Sequence, residues 1–315
     1  MKNKKITAII ACYNDEQAIP EMYERLILVF KKIKYEYEII FVNDGSLDNT
    51  TEIIKKICLK DKNVFGIVHS RNFSSQSAFT SGMLKATGDA IVLLDGDLQD
   101  PPEIIEKFIE KWQEGNQVVY GIRNKRQANL FLATSYKLFY KIFKKLSEVK
   151  IPLNAGDFSL IDMKVVQSIN SMPETDRFVR GLRAWVGYKQ TGVEYYRPER
   201  KYGKTTNNLY KNIRWAKKGI FSFSYIPLEM ISILSYVIAV LSALAIIWYM
   251  GFYFIYPGAP RGITTILVLI LFLGSIQLLS ISILSEYISK ILEESKKRPK
   301  FIIKELINFN KNNNN

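Results

Sequence analysis

Histidine and cysteine are almost absent from this sequence. Its 315 residues contain one histidine, His69, and two cysteines, Cys12 and Cys58. A zinc centre of mixed His and Cys ligands needs more partners than that, and so does a Ser-His-Asp triad. Both cysteines fall inside apolar periodic segments, which suits buried, reduced thiols and argues against a disulfide framework. Acid–base and metal chemistry must therefore rest on carboxylates. Acidic residues are themselves in deficit: 30 Asp and Glu stand against 44 Lys and Arg, a formal net charge of +14. That excess calls for an acidic partner such as phosphates, nucleic acid or an anionic membrane surface. No strand–turn carries Gly-x-Gly-x-x-Gly, so a dinucleotide oxidoreductase is excluded, and nothing matches a nucleic-acid recognition motif. A signal peptide is not expected, because Tyr13-Asn14-Asp15-Glu16 interrupts the first apolar run; the N-terminal part should stay cytoplasmic.

What is present, up to about Val119, is alternation. Ile6–Tyr13, Tyr37–Asp44, Asn63–Ser70 and Asp89–Asp97 have the continuous apolar character of buried parallel strands. Between and after them, Ile19–Ile33, Asn49–Lys60, Ser75–Ala86 and Pro102–Glu114 have helical periods, the last with prolines in its first turn. Such alternation predicts a doubly wound α/β sheet, whose ligands bind beyond the carboxyl ends of the strands. Tyr13-Asn14-Asp15-Glu16, Asp44-Gly45-Ser46 and Asp95-Gly96-Asp97 all fall there.

The C-terminal third has a different deficit. No charged residue occurs from Met230 to Pro260, nor from Gly262 to Ser285. Each run exceeds the roughly 20 apolar residues needed to cross a bilayer. The break between them, Tyr256–Gly262, is a Pro- and Gly-rich turn carrying only Arg261. Lys217-Lys218 precede the first run, and Lys290 and Lys296–Lys300 follow the second, which predicts a hairpin with both flanks cytoplasmic. Basic amphipathic segments near 129–146 and 207–223 are expected at the membrane interface. The ending NFNKNNNN is low-complexity and expected to be disordered.

In LLDGDLQDPP the acids Asp95 and Asp97 sit one residue apart where a buried strand ends. On a regular strand they would diverge; on a turn loosened by Gly96 they can converge. Carboxylates so placed suit Mg²⁺ or Mn²⁺, which keep open positions for phosphate oxygens. An Asp-x-Asp turn alone is weak evidence, and Asp48 in NDGSLDNT has the bland alternative of capping the next helix.

The motifs in order are CYNDE (Cys12–Glu16), VNDGSLDNT (Val42–Thr50), SRNF (Ser70–Phe73), DGDLQDPP (Asp95–Pro102), NAGDFSLID (Asn154–Asp162) and RPERKYGKTT (Arg197–Thr206). On these, the chain resembles the family 2 glycosyltransferases with a GT-A fold. More narrowly, it is similar to membrane-anchored polyprenyl-phosphate glycosyltransferases of the bacterial GtrB type, relatives of dolichol-phosphate mannose synthase. Two departures stand out. Ala11 and Asp15 replace a proline and a glutamate usual in the opening motif, and Gly96 replaces an alanine. A processive polysaccharide synthase would carry Gln-x-x-Arg-Trp; Arg180–Trp185 lacks the Gln and inserts Ala184.

The resemblance implies a catalytic domain over 1–225, a two-helix transmembrane hairpin over 226–290 (helices about 228–254 and 262–288) and a basic, Asn-rich tail over 291–315. It implies transfer of a hexose, UDP-glucose being the expected donor, to undecaprenyl phosphate at the cytoplasmic membrane, with inversion and possible homo-oligomers. Tyr13, Glu16 and Asp44 would hold uracil and ribose. Asp95 would contact ribose or the metal-bound phosphate, and Asp97, with Gln99, the divalent ion. Asp157 would lie beneath the anomeric carbon as the candidate catalytic base, or would orient the sugar, since a phosphate acceptor is already largely ionised. Arg123, Arg197, Arg200 and Lys204 would close over the phosphates, the last three on a mobile lid.

Overall fold

A computed structural model describes residues 4–124, 155–202, 221–255 and 262–309. Its first half is the expected alternation: β1 (Lys5–Cys12), α1 (Ile19–Ile33), β2 (Glu36–Asn43), α2 (Thr50–Lys60), β3 (Val64–His69), α3 (Ser75–Lys85) and β4 (Ala90–Asp95). A short 3₁₀ turn at Pro102–Ile104 leads into α4 (Ile105–Gln113). Then come β5 (Val118–Asn124), β6 (Ala155–Asp162), α5 (Met163–Asn170), α6 (Val179–Trp185) and β7 (Gln190–Tyr196). Two long helices, α7 (Ile226–Ile255) and α8 (Ile263–Ser295), precede a last strand, β8 (Ile303–Ile307).

The eight strands form one sheet in the order β7-β5-β6-β4-β1-β2-β3-β8. The four central strands run parallel, and β6 enters antiparallel to both β4 and β5. Chain order reverses between β1 and β4, so their carboxyl ends frame the crevice where open α/β sheets bind ligands. Burial on both faces explains the continuous apolar strands. Ile6, Ala8, Ile10 and Cys12 pack toward α1, α2 and α4, whereas Ile9 and Ala11 pack toward α3 and α5. Cys12 and Cys58 are buried and unpaired with one another.

The C-terminal region departs from expectation. Residues 303–307 are a strand, not tail: β8 pairs antiparallel with β3 and closes that edge of the sheet. Its five-residue alternation, IKELI, turns Ile303, Glu305 and Ile307 inward, a period too short to stand out among flanking charges and asparagines. Asn308 and Phe309 are ordered as well; the Asn308 amide donates to the Val64 carbonyl at 2.7 Å, and Phe309 packs on Phe65 with centroids 4.9 Å apart. Helix α8 also runs past 288 to Ser295.

Within α7 and α8, Ile226–Ala245 and Val268–Ser295 are long and apolar enough to cross a bilayer, with mean hydropathies of 2.1 and 2.3 and their most apolar stretches unburied. Side chains such as Ile233, Trp248, Leu271 and Leu278 are exposed. So much unsheltered apolar surface is a mark of membrane association. The amphipathic segment 129–146, most of 207–223, Arg261 and Lys204 lie outside the described residues.

Candidate active site

Strand register assembles the site. Antiparallel pairing of β4 with β6 sets Leu93 against Ser159; beyond that pair the two strands run on to Asp95 and Asp157, close enough for their charges to repel. On the other side of β4, Ala11 pairs with Asp95. The acid turn, the β1 turn and the Asp157 strand therefore meet at one carboxyl-end crevice, although 62 residues separate Asp95 from Asp157.

Four carboxylates crowd there. Burial, with repulsion from Asp100, Asp97 and Asp157, pushes the Asp95 carboxyl up to about 8. Asp100, 1% exposed, is raised by burial against the pull of Arg123 and Arg197, and accepts the Tyr195 hydroxyl at 2.5 Å. Arg123 lies 4.0 Å and Arg197 3.9 Å from Asp100, and Arg200 lies 3.3 Å from Asp97. Gln99 donates its side-chain amide to the Pro198 carbonyl at 3.2 Å. Lys201 pairs with Glu21 of α1 at 2.7 Å. The segment Arg197–Tyr202 is thus laid across the acid turn and fastened on both sides.

Asp157 has different company. Its Oδ2 accepts from Gln76 at 3.0 Å and from Arg180 at 3.3 Å. Arg183, 1% exposed, donates to the neighbouring Gly156 carbonyl at 3.4 Å. Burial opposes the charge on Asp157, but Arg180, Arg183 and Arg123 together hold its carboxyl below the usual range. Gly156 leaves room for Arg123: a Cβ there would stand 2.6 Å from the guanidinium, which would have to shift. Among the described residues, the buried Oδ1 of Asp157 has no hydrogen-bond partner.

Asp44 is fixed from behind. Its Oδ1 accepts from the Phe73 amide at 2.9 Å and meets His69 Nδ1 at 2.8 Å, while His69 Nε2 meets the Ser81 hydroxyl at 2.9 Å. Phe301, beside β8, stacks on the His69 ring at 5.3 Å and 8°. Tyr13 is exposed at the crevice rim. Glu16 accepts the Asn49 amide at 2.9 Å, and Asp48 accepts those of Glu16 and Thr50, so the two carboxylates join the β1 and β2 turns. The acid of the β1 turn that faces the acid pair is Asp15. Burial, with Asp97 and Asp48 nearby, raises it to about 6. A Cβ at residue 96 would lie 2.9 Å from Asp15 Oδ2, so the two departures noted in the sequence, Asp15 and Gly96, meet in space.

The donor set fits a hard divalent cation. Burial first, then repulsion from Asp100 and Asp97, raises Asp95, and a cation held by the Asp95 and Asp97 carboxylates would relieve that cost. Among the described residues no group of three His, Cys, Asp or Glu side chains is placed to hold a metal by itself. Mg²⁺-type sites commonly use one or two carboxylates and take their other ligands from water and substrate phosphate.

Residues 7–169 match the model of Glycosyl transferase family 2. The chain belongs to this family. It is 42% identical over 302 residues to the prophage bactoprenol glucosyl transferase homolog of Escherichia coli, covering 95% of this chain and 98% of that one. It is 40% identical over 302 residues to the bactoprenol glucosyl transferase of Shigella phage SfV, with the same coverage. An uncharacterized glycosyltransferase of Synechocystis sp. is 39% identical over 304 residues, covering 96% and 95%. This family 2 enzyme is a sugar transferase, and the crevice at β1 and β4 is its candidate active site. Sequence reasoning missed Gln76, His69, Asp100, Tyr195, Arg180 and Arg183. The last two stood in view, in a stretch weighed only against a synthase motif.

Proposed function

We propose that this glycosyltransferase moves a hexose from a UDP-hexose, UDP-glucose first among candidates, to polyprenyl phosphate at the cytoplasmic face of the membrane, with inversion. The product is a lipid-phosphate sugar for envelope glycan modification. Close relatives named bactoprenol glucosyl transferases support the acceptor class. The apolar helices α7 and α8 suit an oily acceptor and cross as a hairpin, with the catalytic domain and both termini cytoplasmic.

The observation that carries the chemistry is the setting of Asp157: a carboxylate at the crevice that accepts from Gln76 at 3.0 Å and from Arg180 at 3.3 Å, with Arg183 on the adjoining Gly156 carbonyl. In this reading Tyr13, Glu16 and Asp44 hold uracil and ribose, while Asp95 and Asp97, with Gln99, hold Mg²⁺ or Mn²⁺. The metal, when bound, neutralises charge on the departing diphosphate. Arg123, Arg197, Arg200 and Lys204 close over the phosphates, where guanidinium forks match phosphate oxygens. Arg200 now pairs with Asp97 and turns to the diphosphate as donor and cation enter. A phosphate monoester has its second pKa near 6, so the acceptor is already largely ionised at neutral pH. It needs no strong base, and Asp157, held below the carboxylate range, is a weak one. Asp157 therefore orients the sugar and stabilises positive charge on its ring as the acceptor attacks from the opposite face.

The test is a panel of nucleotide-sugars with undecaprenyl phosphate and the purified full chain, in Mn²⁺, Mg²⁺ or chelator. One sugar should dominate, and chelator should abolish transfer. Asp157→Asn should lower kcat at least about 100-fold while UDP-sugar binding stays measurable. Undiminished transfer in chelator, or near-normal turnover by Asp157→Asn, would overturn the assignment.

A further inference from the structure

A second basic pocket lies behind the active site, where the end of α8 meets the start of α3 and the segment before α6. It has a volume of 380 Å³ and is lined by Arg71, Arg177, Lys296, Arg298 and Lys300. Two acids, Asp176 and Glu293, share the lining, and Lys290 pairs with both. Main-chain oxygens hold three of the cations: Arg71 donates to Asn72, Arg177 to Met172 and Asn170, and Lys300 to Met172. Arg177 is 4% exposed, and among the described residues its Nε and Nη1 have no hydrogen-bond partner. Glu174 is near enough to act on the charges of Arg177 and Lys300, but the two donors of Arg177 stay idle, and a buried guanidinium in that state is costly unless an anion completes it. Burial and the nearby Arg177 also hold the Lys300 ammonium below its usual range. Helix α3 opens onto the same space through Ser74, Gln76 and Ser77, with no side chain capping its first turn, and helix N-termini attract phosphate.

We propose that this pocket binds the phosphate head group of a membrane lipid. Its position selects the source. The charge-free stretch of α8 ends at Ser285; the helix then continues through charged turns to Ser295, and the lining takes up Glu293, Lys296 and Arg298 on that basic flank of the span, where anionic head groups are attracted. It is set apart from the acid turn: none of Asp95, Asp97, Gln99 or Asp100 lines it, while Gln76, which does, donates to Asp157 at 3.0 Å and accepts the Val179 amide at 2.8 Å. The ligand is therefore not the donor's diphosphate. Two lipids carry the required chemistry, an acidic phospholipid and the polyprenyl phosphate acceptor. The inference depends on membrane association but not on the transfer reaction.

Native mass spectrometry of the full chain in detergent tests it, with phosphatidylglycerol, phosphatidylcholine, undecaprenyl phosphate and inorganic phosphate as separate additions. Phosphatidylglycerol and undecaprenyl phosphate should stay bound and phosphatidylcholine should not. Lys296→Gln with Arg298→Gln, both at exposed positions, should weaken that retention roughly 30-fold and leave UDP binding unchanged. Arg177→Lys, which keeps the charge and loses the fork, should weaken it too. Competition between the two anionic lipids identifies the source, and either ranking supports a lipid phosphate. Equal retention of phosphatidylcholine, unchanged retention in the double variant, or full displacement by equimolar inorganic phosphate would overturn it. UDP binding is read in the same samples, so a failed lipid site is distinguished from a failed glycosyltransferase assignment.

Discussion

At the scale of single residues, the chemistry turns on why two aspartates on neighbouring strands have opposite acidities. Asp95 is surrounded by carboxylates, and Asp157 by arginines. The first is primed to share a cation, the second to stay charged without one. Arg180 is the partner that hydrogen-bonds Asp157 directly. Its removal should let burial dominate and raise the Asp157 carboxyl. Since the ionised form is the active one, the acid limb of the kcat profile for Arg180→Gln should move to higher pH, with the alkaline limb in place. A pH–rate series at saturating donor checks this; an unmoved acid limb would show that Arg180 does not set the charge of Asp157. Asp44, Asp95 and Asp97 were legible in sequence because acids where apolar strands end are conspicuous, whereas Asp157 came only through the family resemblance of its motif. Arg180, Arg183 and Gln76 were not, because they reach Asp157 across 23, 26 and 81 positions and only tertiary packing brings them there.

Among the elements, the first four strands and helices were legible because each buries an uninterrupted apolar run or a helical stripe. Strands β5 to β7 escaped notice: AGDFSLID was conspicuous as a motif, which hid its role as the strand that carries Asp157 toward Asp95. The last strand was hidden most fully, since IKELI offers only five residues of alternation inside a charged ending. It nevertheless delivers Phe301 onto His69, and through His69 onto Asp44. Ring pairs of this kind are worth roughly 0.5–1.5 kcal/mol beyond burial. Phe301→Ala should therefore raise the donor KM about 2- to 10-fold and leave kcat nearly unchanged, whereas Phe301→Tyr should restore it. Steady-state kinetics against UDP-sugar decides. A fall in kcat with no change in KM would mean that the stack does not act through Asp44.

On the scale of the whole molecule, β8 makes the membrane region and the catalytic sheet interdependent. The chain leaves the sheet after β7, runs through α7 and α8, and returns to cover β3. The junction is tied in several places: Glu294 accepts the amides of Thr175 and Asp176 at 2.9 and 3.1 Å, Lys290 pairs with Asp176, and Tyr287 donates to the Ser224 carbonyl at 2.8 Å. A catalytic domain cut after Tyr225 to make it soluble would lose all of these and β8 as well. Strand β3 would become a bare edge, with Phe65 and the flat face of Gly66 uncovered where Ile307 now packs, and such edges recruit other chains. In a domain of this size each kcal/mol moves Tm by about 2–4 °C. Loss of a paired, aromatic-backed strand should therefore lower Tm by roughly 10 °C, promote self-association in size-exclusion chromatography and weaken UDP binding through the freed His69. Rejoining residues 299–309 to the cut domain by a flexible Gly/Ser linker should reverse all three without any membrane helix. If the cut domain melts, elutes and binds UDP like the rejoined one, β8 is an ornament of the anchor; if only the rejoined form recovers, the segment that follows the apolar helices is part of the catalytic fold.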